Sequence, residues 1–271
     1  MAETKELAGK ATGPLSGVRV LDLTSVVNGA YATQILADQG ADVIKLEDPG
    51  SGRGGGGDIM RWAGHVPEGC PRDMGPIFLT INRNKRSIVL DLKKDSAKRA
   101  IRKLIATCDV FVNNMRPGVA ERVGLGYDEL QELNPRLVYC SICGWGRSGP
   151  LAERTATDPQ LQAFTGFASN SGVPGGRPET YRHFTQLDAT TGNYATMAIL
   201  MALLARERTG RGQRIDLTMV QAATAVQASR IGEYLATGEQ PPLLGSGTAS
   251  IVPSRAFRTE DGTYLGVQAT S

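Results

Sequence analysis

This chain of 271 residues has few cysteines and histidines and no long apolar run. It has 4 cysteines and 2 histidines, and the C-x-x-C pair of Cys140 and Cys143 lacks a second pair or a nearby histidine. We therefore predict no metal site and no disulfide framework, as suits a reducing compartment. The longest apolar run, residues 194–205, falls short of the ~20 residues that span a bilayer, so we predict a buried helix and no membrane partner.

Long runs of charge and a secretory signal are also missing. The 30 basic and 27 acidic residues are spread along the chain, which argues against a nucleic-acid partner. Residues 1–14 mix charged and small side chains without the apolar segment that a signal peptide needs, so we predict a disordered tail on a cytoplasmic protein. The remaining composition, 41% hydrophobic and 21% charged, is that of a globular protein.

Short apolar runs alternate with helical stretches through the first half of the chain. Strand, helix and strand are predicted in turn at residues 17–24, 31–39 and 41–47, and again at 87–92, 95–107 and 109–112, with a further strand at 137–142. Strands that are apolar on both faces are typical of a parallel sheet covered by helices. The sequence therefore predicts an α/β fold, with a doubly wound, Rossmann-like parallel sheet.

The second half of the chain predicts a boundary and a second, smaller domain. We expect a large α/β domain at 15–218, a helix and linker at 219–245, and the start of a small domain at 246–271. Two strands about an Asp261-Gly262 turn make up that start, and a lone hairpin cannot form a core, so we expect a truncated chain. The long glycine-rich connection at 48–80 is either a flexible excursion or a flap near a ligand.

A basic stretch, NRNKRS, directly precedes the predicted third strand. Its cations are Arg83, Lys85 and Arg86. Three cations in four residues are commonly a solvated surface, but we interpret this stretch as lying at the sheet edge where ligands of open α/β folds bind. It therefore favours contacts with phosphate.

Two further motifs follow predicted strands. VNNMRPG supplies Asn114 for an amide or base and Arg116 for a phosphate, and CGWGRSGP places Trp145 between glycines. A tryptophan in that setting either stacks on a ligand ring or anchors the core. Both motifs therefore favour a nucleotide-like ligand at the carboxyl ends of the strands.

Six stretches occur in a fixed order along the chain: GVRVLDLT, ATQILADQGADVIKLE, NRNKRSIVLDL, VNNMRPG, LNPRLVYCSICGWGRSGP and RERTGRGQRIDLTM. Together they resemble the class III CoA-transferases, a family that includes formyl-CoA transferase, carnitine CoA-transferase and α-methylacyl-CoA racemase. The resemblance covers the chain from about Pro14 onward. It implies coenzyme A or acyl-CoA as a substrate bound by residues 15–218, a carboxylic acid as the second substrate, no metal, and an interlocked homodimer.

The resemblance also implies which residues contact CoA. They are Val27, Asn28, Asn82, Arg83, Asn84, Lys85, Asn114, Met115, Arg116, Arg122, Cys143, Gly144, Trp145 and Gly146. This chain departs from formyl-CoA transferase, which has lysine where Cys143 stands and arginine where Asp48 stands. We therefore expect phosphate recognition to be partly rebuilt.

The family reaction implies a catalytic aspartate that attacks the acyl-CoA thioester and forms a mixed anhydride of similar reactivity. Two family positions can supply it, and they match Asp158 and Gly175 of this chain. Because glycine has no carboxylate, we predict that Asp158 is catalytic, with a helix cap as its alternative role. Asp188 also fits a family position, and we interpret it as the cap of the helix that it precedes.

Three functions remain open on the sequence alone. They are CoA transfer, chemistry at the α-proton of an acyl-CoA as in a racemase or lyase relative, and CoA binding without catalysis. A racemase needs a second acid/base group, for which Glu233 is the candidate. The two histidines, His65 and His183, are interpreted as ordinary polar residues, with His65 the more plausible acid/base of the pair.

Overall fold

A computed structural model describes residues 12–50, 56–182, 185–248 and 250–269. Its centre is a six-stranded sheet in the order β3-β2-β1-β4-β5-β6, and every neighbouring pair is parallel. The strands are Arg19–Leu23 (β1), Asp42–Glu47 (β2), Lys85–Val89 (β3), Val110–Asn113 (β4), Val138–Cys143 (β5) and Arg214–Thr218 (β6). This order is that of a doubly wound, Rossmann-like sheet, so the predicted fold class is confirmed.

Helices connect these strands and continue beyond them. They are Asn28–Asp38 (α1), Pro76–Asn82 (α2), Asp95–Ile105 (α3), Val119–Arg122 (α4), Tyr127–Leu133 (α5), Asp158–Phe164 (α6), Gln186–Thr209 (α7), Met219–Val226 (α8) and Ala228–Thr237 (α9). Single 3-10 turns lie at Ile59–Trp62 and Phe167–Asn170. The predicted hairpin is confirmed as the antiparallel pair of Ser254–Arg258 (β7) and Tyr264–Gln268 (β8).

The chain forms two compact units. The first, which we call the sheet unit, takes in the described residues up to Ala156 together with Leu187–Ala222. The second takes in Thr157–Gln186 and the described residues from Ala223 onward. The six-stranded sheet lies wholly in the sheet unit, whereas α6, α9 and the hairpin belong to the second unit.

Buried side chains cover both faces of the sheet, as the apolar runs predict. One face packs against α1 and α7, and its strand residues include Val20, Val43, Val110, Val138 and Cys140. The opposite face packs against α3 and α5, and its strand residues include Leu21, Ile44, Phe111 and Tyr139. Adjacent residues of one strand point to opposite faces, so the two layers bury alternate positions of the same runs.

The third strand begins and ends earlier than predicted. It was expected at residues 87–92, but β3 is Lys85–Val89 and aligns Lys85 with Val43 of β2. Hydropathy missed its first two residues because both are cations that are held by ion pairs. The prediction also missed α2, a short helix with Pro76 at its first position, where the fixed φ of proline favours helix entry.

Candidate functional site

A cleft of about 320 Å³ opens at the carboxyl ends of the four strands β1 to β4. Its lining includes Ser25 after β1, Asp48 after β2, Leu90 and Leu92 after β3, and Asn114 and Met115 after β4. The sheet order reverses between β1 and β4, and ligands of open α/β sheets bind at such a reversal. The cleft is therefore the candidate site, and it contains two of the predicted residues.

Leu90 and Leu92 are lining residues that the sequence prediction of the site missed. The predicted third strand, at 87–92, placed both leucines inside the sheet. Since β3 ends at Val89, both follow the strand, as the other lining residues follow theirs. Selecting the residues directly after each strand would have identified both leucines if the end of β3 had been predicted at Val89.

Asn114 fixes the turn that connects β1 to α1. Its side-chain oxygen accepts the N–H of Ser25 at 3.0 Å, and its nitrogen donates to the Ser25 carbonyl at 2.7 Å. The same nitrogen donates to Asn28 Oδ1 at 2.9 Å. Two residues that were predicted to contact CoA, Asn28 and Asn114, are thus brought together across 86 positions of sequence.

A buried carboxylate joins this pair. Asn28 Nδ2 donates a hydrogen bond to Asp188 Oδ1 at 3.0 Å, and the side chain of Asp188 lies in the sheet unit with only 6% of its surface exposed. The interpretation of Asp188 as a cap is wrong, because α7 begins at Gln186 and Asp188 lies within its first turn. There the partial positive charge of the helix N-terminus stabilises a carboxylate.

The turn that carries Asn28 holds a strained residue. Val26 has a φ of 68°, a left-handed conformation that is an outlier for a β-branched side chain. Such a conformation costs about 1–3 kcal/mol and persists only where surrounding contacts impose it. The next residue, the predicted Val27, is buried and precedes α1.

An ionic cluster is buried within the sheet unit, and one of its members, Asp58, also lines the cleft. Lys85 Nζ lies 3.0 Å from Asp22 Oδ2, and Lys45 Nζ lies 2.9 Å from Asp58 Oδ2. Burial opposes the charge on Asp22, but Lys85 and Lys45 overcome it and lower the pKa of that carboxyl to about 2. Burial lowers the pKa of Lys85 to about 8, although Asp22 opposes the shift. The charges of this cluster satisfy one another within the protein.

The predicted basic stretch lies at the wrong edge of the sheet for the expected contacts. Asn82, Arg83 and Asn84 precede β3, so they lie at the amino ends of the strands, opposite the cleft. Arg83 pairs with Asp38, to which Asn84 also donates, at 2.8 Å. The expectation that this stretch adjoins the ligand edge is therefore wrong, and a contact of Arg83 with CoA rests on the resemblance alone.

Lys85 and Asn82 are engaged with each other inside the protein. Lys85 Nζ donates to Asn82 Oδ1 at 2.8 Å and to the Ala30 carbonyl at 2.7 Å, and 1% of the lysine side chain is exposed. A phosphate cannot reach an ammonium group in that position without displacing these partners. The charge of Lys85 suggested a contact with phosphate, whereas its burial gives it partners inside the protein.

Arg116 and Arg122 differ from these paired cations. Both are exposed, Arg116 follows β4 at the cleft edge, and Arg122 ends α4. Neither forms an ion pair within the described part of the chain. They are therefore the predicted cations that are best placed to bind a phosphate.

The predicted run from Cys143 to Gly146 follows β5 and is tied to the sheet unit. A Cβ on Gly144 would come within 2.0 Å of Ala156 Cβ, and the Trp145 ring nitrogen donates to the Thr155 carbonyl at 3.1 Å. Burial raises the pKa of the Cys143 thiol. Gly144 therefore serves packing within the protein, and contacts of this run with CoA remain a prediction.

The predicted catalytic residue, Asp158, belongs to the second unit. It is 4% exposed in the first turn of α6 and accepts a hydrogen bond from the side chain of Gln162. Thr157 occupies the cap position, so the alternative reading of Asp158 as the cap is wrong. Gly175 lies in a loop of the same unit with a φ of 74° and open space around it.

The remaining acid/base candidates are exposed or lie outside the described residues. Glu233 pairs with Arg230 at 2.6 Å on the surface of α9. His65 is exposed and lies in the long connection between β2 and β3, whereas His183 lies outside the described residues. Among the described residues, three or more potential metal ligands are nowhere grouped to hold an ion, and no helix has the length and apolar character to cross a membrane.

Comparison with known proteins identifies close similarity over nearly the whole chain. Mouse (Mus musculus) succinyl-CoA:glutarate CoA-transferase is 38% identical over 258 residues, which cover 94% of this chain and 56% of the mouse protein. Acetyl-CoA:oxalate CoA-transferase of Acetobacter aceti is 36% identical over 97% of this chain and 65% of its own length. The chain thus spans between half and two thirds of these relatives' lengths.

Solved structures and a family model agree. The crystal structure of a CAIB/BAIF family protein from Brucella suis superposes with a TM-score of 0.86 at 35% identity, covering 95% of this chain and 66% of that one. The model of CoA-transferase family III matches residues 15–271. The predicted family is thereby confirmed: the chain belongs to CoA-transferase family III.

Proposed function

We propose that the protein transfers CoA from an acyl-CoA to a free carboxylic acid. The observation that carries this proposal is the hydrogen-bonded series from Asn114 through Asn28 to Asp188. It joins two residues that the family resemblance assigns to CoA with a buried carboxylate in the same unit. Membership of CoA-transferase family III supports the reaction class.

The chemistry follows from a carboxylate beside a bound thioester. The carboxylate oxygen attacks the acyl carbon, the C–S bond breaks, and CoA leaves as a thiolate while a mixed anhydride forms on the protein. The carboxylate of the acceptor acid then attacks the aspartyl carbonyl carbon of this anhydride and displaces the donor acid as a carboxylate, so that a new anhydride joins the aspartate to the acceptor. The thiolate attacks the acyl carbon of the acceptor, the C–O bond to the aspartate breaks, and the new acyl-CoA forms. The aspartate is regenerated, and the overall reaction needs no oxidant or reductant.

We propose Asp188 as the nucleophile. The Asn28 amide fixes the direction of its carboxylate, and Asn28 is itself held by Asn114 at the cleft. Asp158, which the sequence predicted, remains the competing candidate, with Gln162 as its hydrogen-bond partner in the second unit. The contacts to predicted CoA residues favour Asp188.

We further propose that Arg116 and Arg122 bind CoA phosphates, because both are exposed and unpaired among the described residues. Leu90, Leu92 and Met115 would supply the apolar wall of the cleft. The cytoplasmic location expected from the sequence and the interlocked homodimer implied by the resemblance complete the proposal. Light scattering on the full-length protein tests the dimer.

An exchange assay tests the proposed reaction. The full-length protein is incubated with succinyl-CoA and glutarate, or with acetyl-CoA and oxalate, which are the pairs named for the relatives. Mass spectrometry should detect the new acyl-CoA together with the released acid. A parallel incubation in D2O with a 2-methylacyl-CoA separates α-proton chemistry, since deuterium uptake without acyl exchange would favour the racemase or lyase alternative.

A further inference from the structure

Asp58 contacts the strained turn between β1 and α1. Its Oδ1 accepts hydrogen bonds from the Ser25 hydroxyl at 3.1 Å and from the Val26 N–H at 3.2 Å. The Met60 N–H donates to the same oxygen at 3.0 Å. The backbone N–H of Val26, the residue in the left-handed conformation, is therefore hydrogen-bonded to the side chain of Asp58, which lies in the long connection after β2.

Other contacts hold Asp58 itself in place. Its Oδ2 lies 2.9 Å from Lys45 Nζ, and its N–H donates to Glu47 Oε2 at 2.8 Å. The Arg61 guanidinium donates hydrogen bonds to both carboxylate oxygens of Glu47, at 2.7 and 2.6 Å. Asp58 is 3% exposed and Lys45 is 1% exposed, so water does not compete for these groups. All of these residues lie in the sheet unit.

Asn114 and Asp58 thus hold the turn from two sides, and we call this pair of residues the clamp. Asn114 binds the backbone of Ser25 from the end of β4, and Asp58 binds Ser25 and Val26 from the other chain segment. Between them the chain adopts the conformation that turns Asn28 toward Asp188. Without the clamp, Val26 would relax to a negative φ, and the residues that follow it would change direction.

We propose that Asp58 is a positioning residue that holds Val26 in its left-handed conformation and thereby aims Asn28 at Asp188. This inference rests on the proposed function in treating Asp188 as the reacting carboxylate. A carboxylate suits the role, because one oxygen accepts from the turn while the other faces an ammonium group. Asparagine offers only one acceptor oxygen, so it must either release the turn or point its N–H groups at Lys45.

The first test compares Asp58→Asn with a matched loss of charge elsewhere in the full-length protein. Asp109 is also an ion-paired aspartate, bound to Arg206 at 3.0 Å and to the Arg19 N–H at 2.8 Å, but it lies at the amino edge of the sheet. We expect Asp58→Asn to lower kcat about tenfold or more, since small misplacement of reacting groups is costly. The KM for acyl-CoA should change less, and Asp109→Asn should keep kcat within about twofold.

Glycine at position 26 separates positioning from general stability. Glycine adopts a positive φ without a steric penalty, so Val26→Gly should restore most of the kcat that Asp58→Asn loses. Asp58→Ala with Lys45→Met removes both buried charges but leaves the turn without an acceptor, so this pair should recover stability against urea but not kcat. Loss that is repaired by the charge-neutral pair and not by Val26→Gly would overturn the proposal, as would an Asp58→Ala variant with normal kcat.

A crystal structure of Asp58→Ala, which has no acceptor oxygen for the turn, gives a readout that does not depend on the reaction. The proposal expects the φ of Val26 to become negative and the Asn28–Asp188 hydrogen bond to break. If Val26 keeps its positive φ, Asp58 does not hold the turn and the proposal is wrong. If wild-type protein shows no exchange while the turn still relaxes in the variant, the proposed function fails and the positioning role stands.

Discussion

Asn28 and Asp188 are 160 positions apart in sequence, and their side chains meet in a hydrogen bond of 3.0 Å. Asn28 begins α1, and Asp188 lies in the first turn of α7. The two helices pack on the same face of the sheet, so their N-terminal ends reach its carboxyl edge together. The amide of one helix can therefore orient the carboxylate of the other.

Close contact between α1 and α7 depends on Gly192. A Cβ at this position would lie 2.7 Å from the Asn28 carbonyl oxygen and 3.0 Å from the ring of Tyr31. We predict that Gly192→Ala pushes α7 away from α1, weakens the Asn28–Asp188 bond, lowers kcat and destabilises the protein by about 1–3 kcal/mol. Urea unfolding and the exchange assay measure the two effects.

Gly232 in α9 provides the matched control, because it is also a helical glycine but a Cβ added there would meet nothing within 4 Å. There the same substitution should stabilise by about 0.5–1 kcal/mol through helix propensity alone. Equal effects of the two substitutions would show that the approach of α7 to α1 does not matter.

The buried carboxyls predict how stability depends on pH. Burial opposes ionisation of Glu47, but hydrogen bonds from Arg61 and Ser87 overcome it and lower its pKa to about 2, as Lys85 and Lys45 do for Asp22. In the unfolded chain the two carboxyls have their ordinary pKa values, 4.5 for Glu47 and 3.8 for Asp22. As the pH falls, the unfolded chain therefore takes up protons before the folded protein does. The free energy of unfolding should therefore decrease between about pH 4.5 and pH 2.

Urea unfolding at pH 5 and pH 3 measures this loss. Glu47→Gln should remove its share, on the order of 2 kcal/mol, from the difference between the two pH values. Glu129→Gln, at an exposed position on α5, serves as the control and should leave the difference unchanged. A Glu47→Gln variant with the wild-type pH dependence would contradict the assignment.

Arginines at the two edges of the sheet should respond differently to substitution. Arg116→Ala and Arg122→Ala should each weaken CoA binding by about 1–3 kcal/mol, because each loses a charge-assisted bond to phosphate. Arg83→Ala loses its pair with Asp38 at the amino edge and should bind CoA within about 0.5 kcal/mol of wild type. Isothermal titration with CoA measures all three, and a larger loss from Arg83→Ala would restore the contact implied by the resemblance.

The strands could be predicted from sequence where their residues are apolar on both faces, as in Val20 and Leu21. The start of β3 could not, because Lys85 is a buried cation whose partner, Asp22, is 63 residues away. The same limit applied to the site. Asn114 was predicted from a motif after β4 and Asn28 from the resemblance, whereas the contact between Asn28 and Asp188 joins two helices that are distant in sequence.

Covalent trapping tests the assignment of Asp188 most directly. Full-length wild-type protein is mixed with acyl-CoA, quenched with hydroxylamine, digested and analysed by mass spectrometry, alongside Asp188→Asn and Asp158→Asn. The account predicts a hydroxamate on the peptide containing Asp188, exchange at least about a thousandfold slower in Asp188→Asn, and retained exchange in Asp158→Asn. A hydroxamate on the peptide containing Asp158, or wild-type exchange by Asp188→Asn, would contradict it.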